Sequence, residues 1–209
     1  MSALLLVAAV LPAPGTPGAA AGEPELLAAA GKPMPLVDIR IVDPDLREVP
    51  VGAVGELVVR GDQVMAGYWR DPEATAAAFT DGWFHTGDLV RRDAEGFVYV
   101  VDRMKDLIIS GGENVSSLSV EEALYRHPAV AEAAAVGVPD ETWGELVCAV
   151  VVLRPGAAAT AEEIVASCRE HLGGFQVPRR VEFVEALPRN VTGKVLKRDL
   201  REWFSPARA

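Results

Sequence analysis

Apolar and polar side chains alternate along Leu36–Asp43 (LVDIRIVD), the period of a half-buried strand. The next stretch, REVPVGAVG, holds a proline and two glycines and reads as a turn. ELVVRG (56–61) then reads as the return strand of a hairpin, ended by Gly61. A further strand is predicted at FVYVVD (97–102), after the turn residues DAEG. Short strands separated by Gly and Asp turns predict a small sheet or barrel from about Leu36 to Asp102.

Beyond Asp102 the periodicity changes. LIIS is a short strand, followed by the pair Gly111–Gly112. SVEEALYRHP has helical spacing, with Ser119 as its expected N-cap and Pro128 as its stop. VAEAAAVGVPD and ELVCAVVVLRPG are two strands. Thr160 starts a helix through His171, with Glu163 placed for a capping box. RVEFVEAL is a strand and VLKRDLREWF a closing helix. Helices and strands interleave, so the fold class is α+β. The pattern divides the chain near Arg103–Lys105 into a first part, residues 1–103, β-rich from about 36, and an α+β second part, residues 104–209.

Composition narrows the function classes. The chain has 209 residues, half of them hydrophobic, enough for a packed core. Thirty acidic against twenty basic residues give a net charge of −10, which argues against a nucleic-acid binder. Cys148 and Cys168 form neither a CxxC pair nor a disulfide framework, which suits a reduced, cytoplasmic setting. No apolar run is long enough to span a bilayer. The opening, MSALLLVAAVLPAPGTPGAAAG, mimics a signal peptide but has no Lys or Arg before its apolar run and meets Pro12 early. It is expected to be a strand or short helix of a larger fold; the rival, a secreted protein, predicts cleavage near Ala20. Residues 113–170 hold ten acids and three bases, and residues 176–209 four acids and eight bases. The basic end reads either as a solvated face or as a docking surface for an anionic small molecule.

Three stretches carry candidate chemistry. In DGWFHTGDL, Asp88 lies between a glycine and an apolar residue, and its carboxylate could accept two hydrogen bonds from a ribose diol. By itself the position reads as a turn residue before it reads as a ligand. In DRMKDLIISGGEN, Arg103 and Lys105 stand among acids at a strand end, and Gly111 and Gly112 permit positive φ and close backbone approach to a ligand. In LPRNVTGKVLKRDLRE, a Thr-Gly turn presents Lys194 shortly before a helix N-terminus, an electrostatically poor place for a cation without a task.

Together, in this order and spacing, the stretches are far more specific. Gly55–Gly61, Gly67–Tyr68–Trp69, Trp83–Leu89, Asp102–Asn114 and Pro188–Arg198 resemble the successive motifs of the acyl-adenylate-forming enzymes, from about Ala30 to Phe204. YRHPAVAEAAAVGVPDETWGE and GGFQVPRRVEFVEALPRNVTGKVLKRDL look most like the AMP-forming fatty-acyl-CoA synthetase branch. The resemblance implies a small β-rich remnant of the large adenylating domain followed by a mobile α+β C-terminal lid. It implies ATP-dependent adenylation of a carboxylic (fatty) acid, then transfer of the acyl group to coenzyme A. By resemblance, Asp88 and Arg103 bind the nucleotide, Lys194 is catalytic, and Lys105 is the hinge. Gly111 and Gly112 line the pantetheine channel, and Trp143, Phe175 and Arg179 contact the CoA nucleotide. Read as residues alone, Trp143 and Phe175 fit core packing equally well. Two positions depart from the branch: Ser119 replaces a usual Glu, and Gln176 a usual Lys or Arg.

The family's phosphate loop, acyl pocket and Tyr-Gly-x-Thr-Glu segment find no counterpart here, so the ligands of the Mg2+ that accompanies ATP are not expected in this chain. The expectation is a mis-started or truncated piece of a longer enzyme, inactive by itself. The alternatives are a non-enzymatic lid or binding module, a subunit that joins a separate large domain, and an enzyme that acylates a carrier protein instead of CoA.

Overall fold

The structure, a computed structural model, describes residues 28–205. The apolar opening segment and its expected strand or short helix lie outside the described residues. The chain is α+β and divides into two compact units, Met1–Met104 and Lys105–Ala209.

The first unit is an antiparallel sheet. Strands β1 (Val37–Val42) and β2 (Val54–Gly61) form the expected hairpin, with Val37 opposite Gly61. Helix α1 (Pro72–Ala78) follows, absent from the sequence reading. Its signals were local: Asp71 accepts from the Ala74 N–H as N-cap, and Pro72 opens the helix. Its seven residues bury no side chain, so it has no apolar stripe to betray it. Strands β3 (Phe79–Thr80), β4 (Trp83–Arg92) and β5 (Val98–Arg103) complete the sheet, ordered β1-β2-β4-β3 with β5 also on β4. Its core is Ile41, Leu57, Val59, Val90 and Val98.

A 3-10 turn, Met104–Asp106, carries the chain from the first unit into the second. Strands β6 (Ile108–Ser110) and β7 (Glu113–Val115) form a tight hairpin. Helix α2 (Ser117–Tyr125) is capped by Ser116, not by the expected Ser119. The Ser116 hydroxyl accepts from the Ser119 N–H, which places Ser119 inside the first turn as the cap's donor. Strands β8 (Val130–Asp140) and β9 (Gly144–Leu153) are the long central hairpin. Helix α3 (Ala161–Arg169) carries the expected capping box of Thr160 and Glu163. Strand β10 (Arg180–Phe183) pairs parallel to β9 and stops four residues short of the expected Leu187, where the chain turns away to cover the sheet. Helix α4 (Lys197–Phe204) closes the unit.

Both faces of the β8–β9 hairpin are covered. Val120 and Leu124 of α2 and Ile164 and Cys168 of α3 pack on Ala133, Ala135, Ala149 and Val151. Leu187 and Leu200 pack on Ala134, Val136, Cys148 and Val150 on the opposite side. This explains why both strands read as near-continuous apolar runs rather than as alternation.

Candidate functional site

Asp88 does not lie in a turn. It sits within β4, 1% exposed, directly opposite Arg103 of β5. The Arg103 Nε meets its Oδ1 at 3.0 Å. Two irregularities build this position. Between the pairs Glu56–Leu89 and Val58–His85, the three residues Thr86, Gly87 and Asp88 face Leu57 alone. On the other edge, Val101 is the extra residue between the pairs Leu89–Asp102 and Val90–Val100. Such bulges re-aim side chains and recur beside functional sites. Gly87 takes φ +69° in the bulge, a left-handed conformation that glycine adopts without strain. The bulge's polar groups are bonded locally. Thr86 Oγ1 donates to the Leu57 carbonyl at 2.7 Å and accepts from the Asp88 N–H at 3.1 Å.

Lys194 occupies a tight loop closed by the bridge between Arg189 and Val195. Asn190 organises it: its Oδ1 accepts from the N–H groups of Thr192 and Lys194 and from the Thr192 hydroxyl, at 2.8–3.0 Å. Gly193, at φ +82°, turns the chain. Arg189 ties the loop to β8 through Glu132 at 2.6 Å. The Lys194 side chain is exposed, and among the described residues it forms no ion pair. Helix α4 begins three residues later, and the cation at its N-terminus is Lys197. There the Lys197 Nζ lies 2.7 Å from Glu121 Oε1 and donates to Ser117 Oγ at 2.7 Å. Within the basic C-terminal stretch, Arg180, Arg189, Lys197 and Arg201 are engaged in internal pairs with Glu182, Glu132, Glu121 and Asp106.

Gly111, Trp143 and Arg179 come together. The Gly111 N–H donates to the Trp143 carbonyl at 2.9 Å, and the indole lies so close over Gly111 that a Cβ there would stand 2.7 Å from its Cε3. The Arg179 guanidinium lies 3.9 Å from the Trp143 ring. Asp140 Oδ1 fixes the turn by accepting from the Thr142 and Trp143 N–H groups. Trp143 is 38% and Phe175 45% exposed, so neither is a core residue. Arg179, with Arg169, Leu172 and Val177, lines an open groove of about 500 Å³. Gly112, at φ +84°, borders open space. Lys105 stands in the 3-10 turn, and its carbonyl accepts from Arg201 at 2.9 Å. Gln176 offers no cation: its Oε1 accepts from the Gly173 N–H at 3.0 Å.

Both cysteines are free and buried. Burial pushes the Cys148 thiol up to about 12, against a lowering by Arg180, and the Cys168 thiol up to about 11. Neither is an available nucleophile. Among the described residues no cluster could hold a metal ion, and no helix is long and apolar enough to cross a membrane.

Residues 8–69 match the AMP-binding enzyme family, and residues 119–194 match the AMP-binding enzyme C-terminal domain. The chain belongs to the AMP-binding enzymes. The first match reaches back well before Ala30, where the resemblance in sequence motifs begins. A feruloyl-CoA synthase of Amycolatopsis sp. is 47% identical over 180 residues, which cover 86% of this chain and 37% of that protein. The fatty acid–[acyl-carrier-protein] ligase ScoC of Streptomyces coeruleorubidus is 44% identical over 86% of this chain and 34% of its own. In structure, the amide bond synthetase McbA of Marinactinospora thermotolerans superposes with a TM-score of 0.80 at 47% identity, over 87% of this chain and 37% of that one. The chain thus spans about a third of the length of the AMP-binding enzymes it matches. The sequence reading missed Glu56, which accepts from Gly87 in the bulge, and His85, which bonds Glu56; the available signal was Glu56, a charged residue leading an apolar strand.

Proposed function

We propose that these 209 residues form the C-terminal part of an enzyme that activates a carboxylic acid as its acyl-adenylate and passes the acyl group to coenzyme A. The observation that carries this reading is the buried Asp88 carboxylate, set by a bulge opposite Arg103. A carboxylate so held can accept hydrogen bonds from both hydroxyls of a ribose. In the first half-reaction the acid's oxygen attacks the α-phosphorus of ATP, and pyrophosphate leaves. Lys194, a mobile cation on a rigid loop, stabilises the charge that develops there. In the second, the CoA thiol attacks the acyl carbonyl and AMP leaves. Phe175 and the part-exposed Trp143, over which Arg179 lies, supply aromatic surface for adenine, and Arg179 a cation for a phosphate. Gly111 and Gly112 allow the pantetheine arm close to the backbone. Lys105 serves as the hinge about which the lid turns between half-reactions. ATP brings Mg2+ with it, and no residue here is assigned to that ion.

The fatty-acyl resemblance favours a fatty acid as substrate. By itself the polypeptide is expected to release no acid-dependent pyrophosphate from ATP, because it carries no phosphate loop. A chimera tests the reading: residues 30–204 replace the matching segment of the feruloyl-CoA synthase. The chimera should release pyrophosphate and form thioester. Lys194→Ala should abolish release but still convert supplied acyl-adenylate, and Trp143→Ala should raise KM for CoA. Full pyrophosphate release by the Lys194→Ala chimera overturns the assignment. The likeness to ScoC and the missing cation at Gln176 favour a second reading, a carrier-protein acceptor. Competition between CoA and a phosphopantetheinyl carrier protein in the second half-reaction separates the two.

A further inference from the structure

The geometry points to Glu56, oriented by His85 and Thr80, as the positioning residue for Asp88; its consequence for catalysis rests on the ribose reading above. Glu56 stands on β2 at the edge of the bulge and uses both carboxylate oxygens. Oε1 accepts from the Gly87 N–H at 3.1 Å, and Oε2 lies 2.8 Å from His85 Nδ1. His85 Nε2 lies 3.0 Å from Thr80 Oγ1 on β3. The Glu56 and His85 side chains are 14% and 21% exposed, so these bonds are shielded from competing water. The chain of bonds runs from β3 through His85 and Glu56 to the 86–87 peptide, on the far side of Gly87 from Asp88. Holding the Gly87 N–H fixes the plane of the 86–87 peptide. The left-handed Gly87 would otherwise be the most adaptable joint in the bulge, and its rotation would swing the Asp88 carboxylate away from Arg103. A carboxylate at position 56 also sets the neutral imidazole's tautomer. Nδ1–H donates to Glu56, and Nε2 accepts from the Thr80 hydroxyl.

The arrangement makes an asymmetric prediction. In Glu56→Gln the amide oxygen still accepts from Gly87, while the amide nitrogen faces His85 Nδ1. The neutral imidazole then switches to the Nε2–H tautomer, Thr80 becomes the acceptor, and the chain of bonds survives. In Glu56→Ala it is lost.

NMR on the intact chain reads this without any ligand. The Arg103 Nε–H resonance reports the contact with Asp88, and ring nitrogen shifts report the His85 tautomer. Glu56→Ala should shift the Arg103 resonance. Glu56→Gln should leave it in place and invert the tautomer. If Glu56→Ala does not fold, Thr80→Val carries the test, since it removes only the outer bond and should shift the same resonance less. An unmoved Arg103 resonance in folded Glu56→Ala, or in Thr80→Val where that variant stands in, overturns the proposal, as does a Glu56→Gln variant without tautomer inversion. Titration with AMP and 2′-deoxy-AMP supplies the functional readout. The wild type should prefer AMP, Glu56→Ala should lose the preference, and Glu56→Gln should keep it. A wild type without preference overturns the ribose reading but leaves the NMR result standing. A preference retained in Glu56→Ala overturns Glu56 as the positioning residue.

Discussion

Asp88 and Arg103 face each other across β4 and β5, the Arg103 Nε 3.0 Å from the Asp88 Oδ1, with the carboxylate buried and the guanidinium partly open to water. Removing the arginine removes a charged partner from a carboxylate that has little access to solvent. Arg103→Ala should lower the stability of the first unit by about 1–3 kcal/mol, toward the lower end because solvent screens the guanidinium. Arg103→Lys should recover only part, since a point charge replaces a planar fork. Urea denaturation checks both; wild-type stability in the alanine variant would contradict the pairing.

Lys194 and Lys197 lie one loop apart and should behave oppositely. Lys197 is largely buried between Glu121 and Ser117, and Glu121 Oε1 also accepts from the Ala135 N–H. Lys197→Ala should destabilise the second unit by roughly 3 kcal/mol, because it strands a buried carboxylate. Lys194→Ala should stay within about 0.5 kcal/mol of wild type. Thermal melts of the two variants decide it.

Gly111 and Gly112 separate backbone strain from collision. Both have positive φ, but only at Gly111 would a Cβ strike the Trp143 ring. Gly112→Ala should lose about 1–2 kcal/mol, the left-handed backbone term alone. Gly111→Ala should lose more, and adding Trp143→Ala should relieve that excess while leaving Gly112→Ala unrelieved. A double-mutant cycle on denaturation midpoints measures the difference.

Thr160→Ala removes one arm of the capping box on α3, whose side chain accepts from the Glu163 N–H at 3.2 Å. A loss of about 1 kcal/mol is expected, recovered in large part by Thr160→Ser. Chemical denaturation measures both variants against wild type.

Cys148 should make the second unit sensitive to alkali. Its thiol is raised from 9.0 to about 12 by burial. A raised value means the folded state holds its proton where the unfolded state has released it. The stabilisation is therefore complete below about pH 9 and is lost as pH climbs toward 12, at up to about 1.4 kcal/mol per pH unit. Cys148→Ala should be weaker at neutral pH through lost packing, yet show a shallower decline above pH 9. Parallel slopes for the two proteins from pH 8 to 10.5 would refute it.

Much of the architecture can be read from local pattern. Alternation marked β1, unbroken apolar runs marked β8 and β9, and Thr160 with Glu163 marked the start of α3, because each of these signals lies within a few residues. The motif order likewise pointed to the AMP-binding enzymes. One local feature was missed: Ser116 rather than Ser119 caps α2, because Ser116 has the extended backbone of a cap. Other features depend on partners far away in the chain. Asp88 looked like a turn residue because Thr-Gly-Asp has turn composition, and only pairing with β2 and β5 turns those residues into a strand bulge. Trp143 and Phe175 were ambiguous between core and surface until burial placed them outside. Lys194 and Lys197 differ only in what lies opposite them, Glu121 being 76 residues away from Lys197 in sequence (197 − 121). Composition and periodicity record what each segment prefers. Which carboxylate is buried against which cation is settled by strand register and helix packing, where residues distant in sequence first share one environment.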